Sequence, residues 1–171
     1  MAILILGIVL FMGGIVFLVT SRAGAPWMPT GKVSYDRALA LLELAPHDVL
    51  ADFGAGDGRV LIAAARRYGV RGIGYEVNPI LVWLSRVRSY LAGVGERIEI
   101  RSGNVFDGHM SGVSAVFIFL MPETNVRVVR ELVPRFQSGT RIVSYAFPLP
   151  GMFPVREEAG RYRVPIYLYV K

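Results

Sequence analysis

The chemistry of this chain is concentrated in Ala51-Asp52-Phe53-Gly54-Ala55-Gly56-Asp57-Gly58-Arg59, where three glycines alternate behind an acid. A second acid, Glu76, closes Gly72-Ile73-Gly74-Tyr75-Glu76 about one βαβ unit later. A dinucleotide fingerprint, G-x-G-x-x-G, spaces its last two glycines more widely. Here Gly54, Gly56 and Gly58 keep an even G-x-G-x-G. A carboxylate at a strand tip repels a pyrophosphate, whereas it attracts a ligand carrying an α-ammonium and a sulfonium. Spacing and acid together predict a crevice for S-adenosylmethionine rather than for a nicotinamide coenzyme. Glu76 can accept hydrogen bonds from the two ribose hydroxyls. The bland alternative is a tight strand-to-helix turn packed through its glycines, with Glu76 a surface acid.

The elements that must position these groups follow from the pattern. Val49–Phe53 is an apolar run of buried-strand type after the loop signal Pro46-His47-Asp48. Arg59–Tyr68 is alanine-rich, with Val60, Ile62, Ala63 and Ala64 as its apolar face, and Gly69 stands where a C-cap would. Gly72–Tyr75 is a second buried strand. Pro79 opens a helix as its first residue, and Gly93 ends it. Upstream, Val33–Ala45 is expected as an amphipathic helix. Downstream, strands are expected at Arg97–Arg101, Ala115–Leu120, Arg141–Phe147 and Arg163–Val170, with a helix over Glu123–Phe136 presenting Val126, Val129 and Leu132. The glycine-rich interval 102–114 leaves room only for a loop. Alternating strands and helices make an α/β doubly wound sheet, mostly parallel, with an antiparallel hairpin at one edge.

The N-terminus carries the other strong signal. Residues 1–21 hold no charged side chain and are rich in Ile, Leu, Val, Phe and Gly. About 19 helical residues cover roughly 29 Å, close to the thickness of a bilayer's hydrocarbon core. This predicts a single-span transmembrane anchor over 1–21, a linker over 22–32 and one domain over 33–171. Cleavage after Ala23-Gly24-Ala25 is the rival reading. It is opposed by the lack of any basic residue before the apolar run, by Arg22, and by Pro26 just after the cut. Arg22, Lys32 and Arg37 all follow the span, so the domain is expected on the cytoplasmic side, at a prokaryotic inner membrane or a mitochondrial one.

Composition narrows the partners. The net charge is +6, from 19 basic and 13 acidic residues, which suits an anionic lipid surface. The arginines are scattered rather than massed with aromatics, so nucleic acid is not expected as a partner. Cysteine is absent, and His47 and His109 share no ligand spacing, so neither disulfide nor metal site is expected. Gly7, Gly13 and Gly14 form no G-x-x-x-G pair, which leaves helix-driven dimerisation unsupported and the oligomeric state open.

Beyond the glycine run, Gly74-Tyr75-Glu76-Val77-Asn78-Pro79, Gly139-Thr140-Arg141-Ile142-Val143-Ser144 and Phe147-Pro148-Leu149-Pro150 resemble the membrane-anchored seven-strand protein-lysine methyltransferases. That family includes the enzymes acting on an ATP synthase subunit and on adenine nucleotide translocase, and the archaeal broad-specificity lysine methyltransferase. Pro26-Trp27-Met28-Pro29-Thr30 is similar to its proline-rich segment before the domain. The resemblance implies a Rossmann-like seven-strand sheet, S-adenosylmethionine as cofactor and a protein lysine side chain as acceptor, that of a membrane protein included. It implies that Asp52, Gly54, Gly56 and Gly58 hug the methionine part, with Ala55 and Asp57 in the same turn. Glu76 takes the ribose beside Val77 and Asn78, and Asn104 meets the adenine edge beside Val105. Asn104 also reads as an Asx-turn residue.

Methyl transfer to an amine needs alignment and a neutral nucleophile more than a fixed base. The acceptor slot is expected at the ends of the fourth and fifth strands, from Met121, Pro122, Glu123, Tyr145 and Phe147, whose aromatic faces can steady a methylammonium. For Tyr145 and Phe147 plain strand core is the alternative. Trp27 either closes the slot or anchors at the interface. Two other classes compete: a membrane-associated methyltransferase of a lipid, quinone or other small molecule, and a non-catalytic cofactor-binding or scaffold protein.

Overall fold

Apolar runs alternate with helical segments along the chain, and the computed structural model turns that alternation into a seven-stranded sheet in the order β3-β2-β1-β4-β5-β7-β6. It describes residues 29–159 and 163–171, together with Gly7. The strands are β1 (Val49–Phe53), β2 (Arg71–Glu76), β3 (Ile98–Ser102), β4 (Ala115–Ile118), β5 (Arg141–Tyr145), β6 (Arg156–Ala159) and β7 (Pro165–Val170). β1 to β5 are parallel, and β7 runs antiparallel to both β5 and β6. The helices are α1 (Lys32–Leu41), α2 (Arg59–Tyr68), α3 (Pro79–Leu91) and α4 (Pro122–Arg127). Strand order reverses between β1 and β4, which opens a crevice at their carboxyl ends.

Both faces of the sheet are covered, so side chains of opposite parity enter different cores. Leu50, Phe117, Val143 and Ile166 pack beneath α1 and α2 with Leu39, Leu42 and Leu61. Phe53, Val116, Ile118, Ile142 and Tyr169 pack on the other face with Phe106, Val128, Leu132 and Leu149.

Several expectations need correction. The first helix stops at Leu41, not Ala45, because Glu43 adopts a left-handed φ of 46° and turns the chain toward β1. The anticipated helix over Glu123–Phe136 is three pieces: α4, a π-helical segment Val128–Leu132 and a 3₁₀ turn Val133–Arg135 ending near Pro134. Its inward residues are Asn125, Val128 and Leu132, while Val126 faces solvent. β4 and β5 stop at Ile118 and Tyr145, so Phe147 lies beyond its strand. β6 has no counterpart among the expected strands: its Arg-Glu-Glu-Ala sequence lacks an apolar signal because it is an edge strand. The expected loop between β3 and β4 is present, with one 3₁₀ turn at Val105–Asp107.

Apart from Gly7, the expected anchor over 1–21 lies outside the described residues, as do most of the linker and Trp27. Among the described residues no helix is long and apolar enough to cross a membrane.

Close approach fixes one glycine in β2. A Cβ at Gly74 would lie 2.7 Å from Ala55 Cβ, 2.8 Å from Ile100 Cδ1 and 2.9 Å from Leu61 Cδ1. Gly74 therefore lets the glycine turn, α2 and β3 meet over β2. Gly74→Ala is expected to cost about 1–3 kcal/mol through overpacking, and Gly72→Ala, whose nearest neighbour is Leu61 at 3.1 Å, less. Chemical denaturation of the two variants checks the ranking.

Candidate active site

The turn after β1 is shaped by positive backbone angles. Gly54, Gly56 and Gly58 have φ of 82°, 55° and 77°, a region that side chains with a Cβ rarely adopt. Gly54 and Ala55 N–H both donate to Tyr75 O at 2.9 Å, which laces the turn to β2. Gly58 approaches α3 so closely that a Cβ there would sit 3.0 Å from Ser85 Cβ. The turn is thus tied to both neighbours of the crevice.

Three carboxylates lie in this crevice, and each is handled differently. Glu76 accepts from Gly56 N–H at 2.9 Å and Asn78 N–H at 2.8 Å, which holds its head against the turn. Asp57 accepts from Arg59 Nε at 2.8 Å and Nη2 at 2.7 Å, and also pairs with Arg88. Burial opposes its ionisation, but the Arg59 hydrogen bonds and the charges of Arg59 and Arg88 hold Asp57 below the usual carboxylate range. Asp52 is only 3% exposed and finds no cation among the described residues. Burial, followed by the charges of Glu76 and Asp57, pushes its carboxyl up to about 8. One buried acid is left wanting a positive partner.

These groups line a cavity of about 460 Å³, within the common range for small-molecule sites. Asp52, Gly54, Ala55, Gly56 and Asp57 form one wall; Glu76, Val77, Asn78, Asn104 and Val105 form another. Asn78 caps α3 through Oδ1, with its buried Nδ2 unpartnered. Asn104 behaves as the Asx-turn reading expects, accepting from Phe106 N–H at 3.1 Å, yet it also faces the cavity. Asp57 borders the cavity as well, and the two arginines that engage its oxygens steady the turn.

The expected acceptor residues separate. Met121, Glu123 and Phe147 line the cavity, joined by Phe119, Leu120 and Thr124. Tyr145 and Pro122 do not line it. Tyr145 is core: its ring meets Phe119 edge-on with centroids 4.9 Å apart, and its hydroxyl lies 3.0 Å from Ser34 Oγ. Pro122 starts α4 and faces solvent. Phe147 reaches the cavity because the chain bends sharply at Ala146, whose φ is 70°. Ser144 Oγ donates to Phe147 O at 2.6 Å, and buried Asn125 Nδ2 donates to Phe147 O at 3.4 Å and Pro148 O at 3.2 Å.

Sequence reasoning missed Asn125, Arg59 and the segment Pro29-Thr30. Both segment residues line the cavity, and Arg59 Nη1 donates to Thr30 O at 3.2 Å. A lone Asn inside a helix, an Arg after a glycine and a short linker carry no distinctive pattern. Only the cluster of prolines at 26–29 hinted that Pro29-Thr30 packs on the domain.

The fit to an adenosyl cation is set by the unpaired Asp52, the glycine cradle and Glu76, all in one cavity. Comparisons agree. The family described as ANTKMT methyltransferase domain matches residues 52–156. A protein-lysine N-methyltransferase of Saccharolobus islandicus is 32% identical over 85% of this chain and 92% of its own length. A lysine N-methyltransferase of an ATP synthase subunit, from Xenopus laevis, is 31% identical over 75% of the chain, which spans 56% of that longer protein. A solved RNA methyltransferase from Salinibacter ruber, bound to S-adenosyl-L-homocysteine, is 35% identical with a TM-score of 0.81, over 84% of this chain and 93% of that one. The chain belongs to the ANTKMT methyltransferase domain family and is an S-adenosylmethionine-dependent methyltransferase.

Proposed function

We propose that the chain is a protein-lysine N-methyltransferase acting at a membrane, to which residues 1–21 anchor it with the domain on the cytoplasmic side. The observation that carries the lysine reading is that Phe119, Met121 and Phe147 line the same cavity as the cofactor wall, with exposed Glu123 beside them. The relatives named above as lysine methyltransferases support it. The anchor rests on the uncharged apolar stretch alone.

S-adenosylmethionine, when bound, supplies the electrophilic methyl group. Asp52, Glu76 and Asn78 bind and orient it, and the glycine turn gives it backbone contact. The apolar slot strips water from the acceptor lysine, whose reference pKa is about 10.4, and so favours the neutral amine. Glu123 attracts the incoming ammonium at the rim. Asn125 and Ser144 hold Phe147 where its ring can line one side. Alignment supplies the acceleration.

RNA is a second reading, favoured by the Salinibacter ruber structure. Incubating the full chain with methyl-labelled cofactor, membrane proteins and RNA separates the two. Label in protein lysines supports the proposal; label in RNA, or only in lipid, rejects it.

Two further outcomes test the site. Asp52 holds a proton near neutral pH, and only its ionised form attracts a cation, so binding releases a proton below about pH 8. Cofactor affinity is therefore expected to rise by up to about tenfold per pH unit from 6 toward 8, and to lose this slope in Asp52→Asn; calorimetry reads both. Phe147→Ala is expected to lower kcat by about 10- to 100-fold with little change in cofactor affinity. Tyr145→Phe should leave kcat within about twofold, because that ring lies in the core; steady-state kinetics compares them.

A further inference from the structure

Half of α3's buried face is small and polar: beside Leu81 and Val82 it carries Ser85 and Ser89, whose hydroxyls donate to Val82 O at 2.9 Å and Ser85 O at 2.8 Å. That face can be small because α2 approaches through Gly58. Its outward face is large and apolar. Trp83 is 64% exposed, Tyr90 79% and Leu91 76%, with Ile80 and half-buried Val87 on the same stripe at helical spacing. Pro79–Leu91 contains Arg86 and Arg88 and no carboxylate; no acid occurs from Val77 to Gly95. A monomer's solvent face does not ordinarily carry such a patch.

We infer that this stripe of α3 lies against an anionic lipid surface, with Trp83 and Tyr90 at headgroup level. Both aromatics combine an apolar body with a polar tip, the pairing favoured at membrane interfaces. The helix itself adds no carboxylate that would repel anionic headgroups. Geometry selects this face over others. The N-terminal segment joins the domain at Thr30, whose carbonyl is bound by Arg59; Arg59 pairs with Asp57, and Asp57 with Arg88 of α3. The seven residues 22–28 can reach at most about 25 Å, less than the diameter of a domain of about 140 residues. A domain held that close must turn one face to the bilayer, and α3 adjoins the point of attachment. The inference rests on the anchor reading, and places the cofactor crevice, which Leu81 of the same helix helps to line, beside the membrane surface.

The test uses the full chain with Trp27→Phe, which leaves Trp83 as the sole tryptophan, reconstituted with vesicles of phosphatidylcholine and phosphatidylglycerol in equal parts. Flotation reports the anchor; quenching of Trp83 by brominated acyl chains reports the stripe. Expected are co-flotation and at least twofold quenching. In Trp83→Gln/Tyr90→Gln, methylation of a vesicle-embedded acceptor should fall about tenfold while cofactor affinity is unchanged. Co-flotation with Trp83 unquenched by lipid overturns the inference and leaves the anchor standing, whether the stripe is then covered by residues 1–21, a second copy or another protein. Failure to float overturns the anchor reading and this inference with it; label still entering protein lysines would leave the lysine proposal intact.

Discussion

Negative charge taken out of water at the carboxyl ends of β1 and β2 governs the rest of this structure. Burying a carboxylate is costly unless something replaces its hydration. Glu76 receives two backbone N–H groups, and Asp57 receives two guanidinium groups. Asp52 receives neither, and instead keeps a proton to a pH well above the ordinary range. The third treatment selects the ligand: a pyrophosphate would raise the local charge, while an adenosyl cation relieves it. The glycines, Gly74 among them, allow three acids to share one turn.

How much of this is written in the sequence depends on how local each feature is. The β1-α2-β2-α3 unit is readable almost residue by residue, because its caps, glycines and apolar runs are short-range signals. Arg59–Tyr68 with Gly69 after it, and Pro79–Leu91, appear as expected. The edge strand β6 is not readable, since two of its four residues are glutamates and its pairing with β7 is made through the backbone. The segment after β4 misleads for another reason. Val126, Val129 and Leu132 fit one helical face, but Asn125, Val128 and Leu132 fit another equally well, and it is that face, with a polar Asn in it, that is buried. In the site, the cofactor wall is legible through its motif. Tyr145 and Phe147, two residues apart on an expected strand, share a face by alternation; the left-handed Ala146 breaks that relation and sends one to the core, the other to the cavity.

The division of labour across the sheet follows from this geometry. The β1–β2 side is laced by short backbone hydrogen bonds to Tyr75 O and Glu76, suited to a ligand that never changes. The β4–β5 side is assembled from chain bends, a buried amide and aromatic rings, so its shape can change without disturbing the cofactor wall. Asn125, with its Oδ1 unpartnered and its Nδ2 bound to two carbonyls, is the pin of that side. Relatives named for different acceptors are consistent with such a split.

Pro29 and Thr30 precede the first helix yet form part of the cavity wall, and Thr30 is clasped by the arginine that follows the glycine turn. The smallest piece able to fold and the smallest piece able to hold its ligand are consequently not the same length. Trimming to the start of α1 would preserve every strand pairing described, but remove a side of the chamber and one of the hydrogen bonds of Arg59. For this protein, the working module begins upstream of the architectural one.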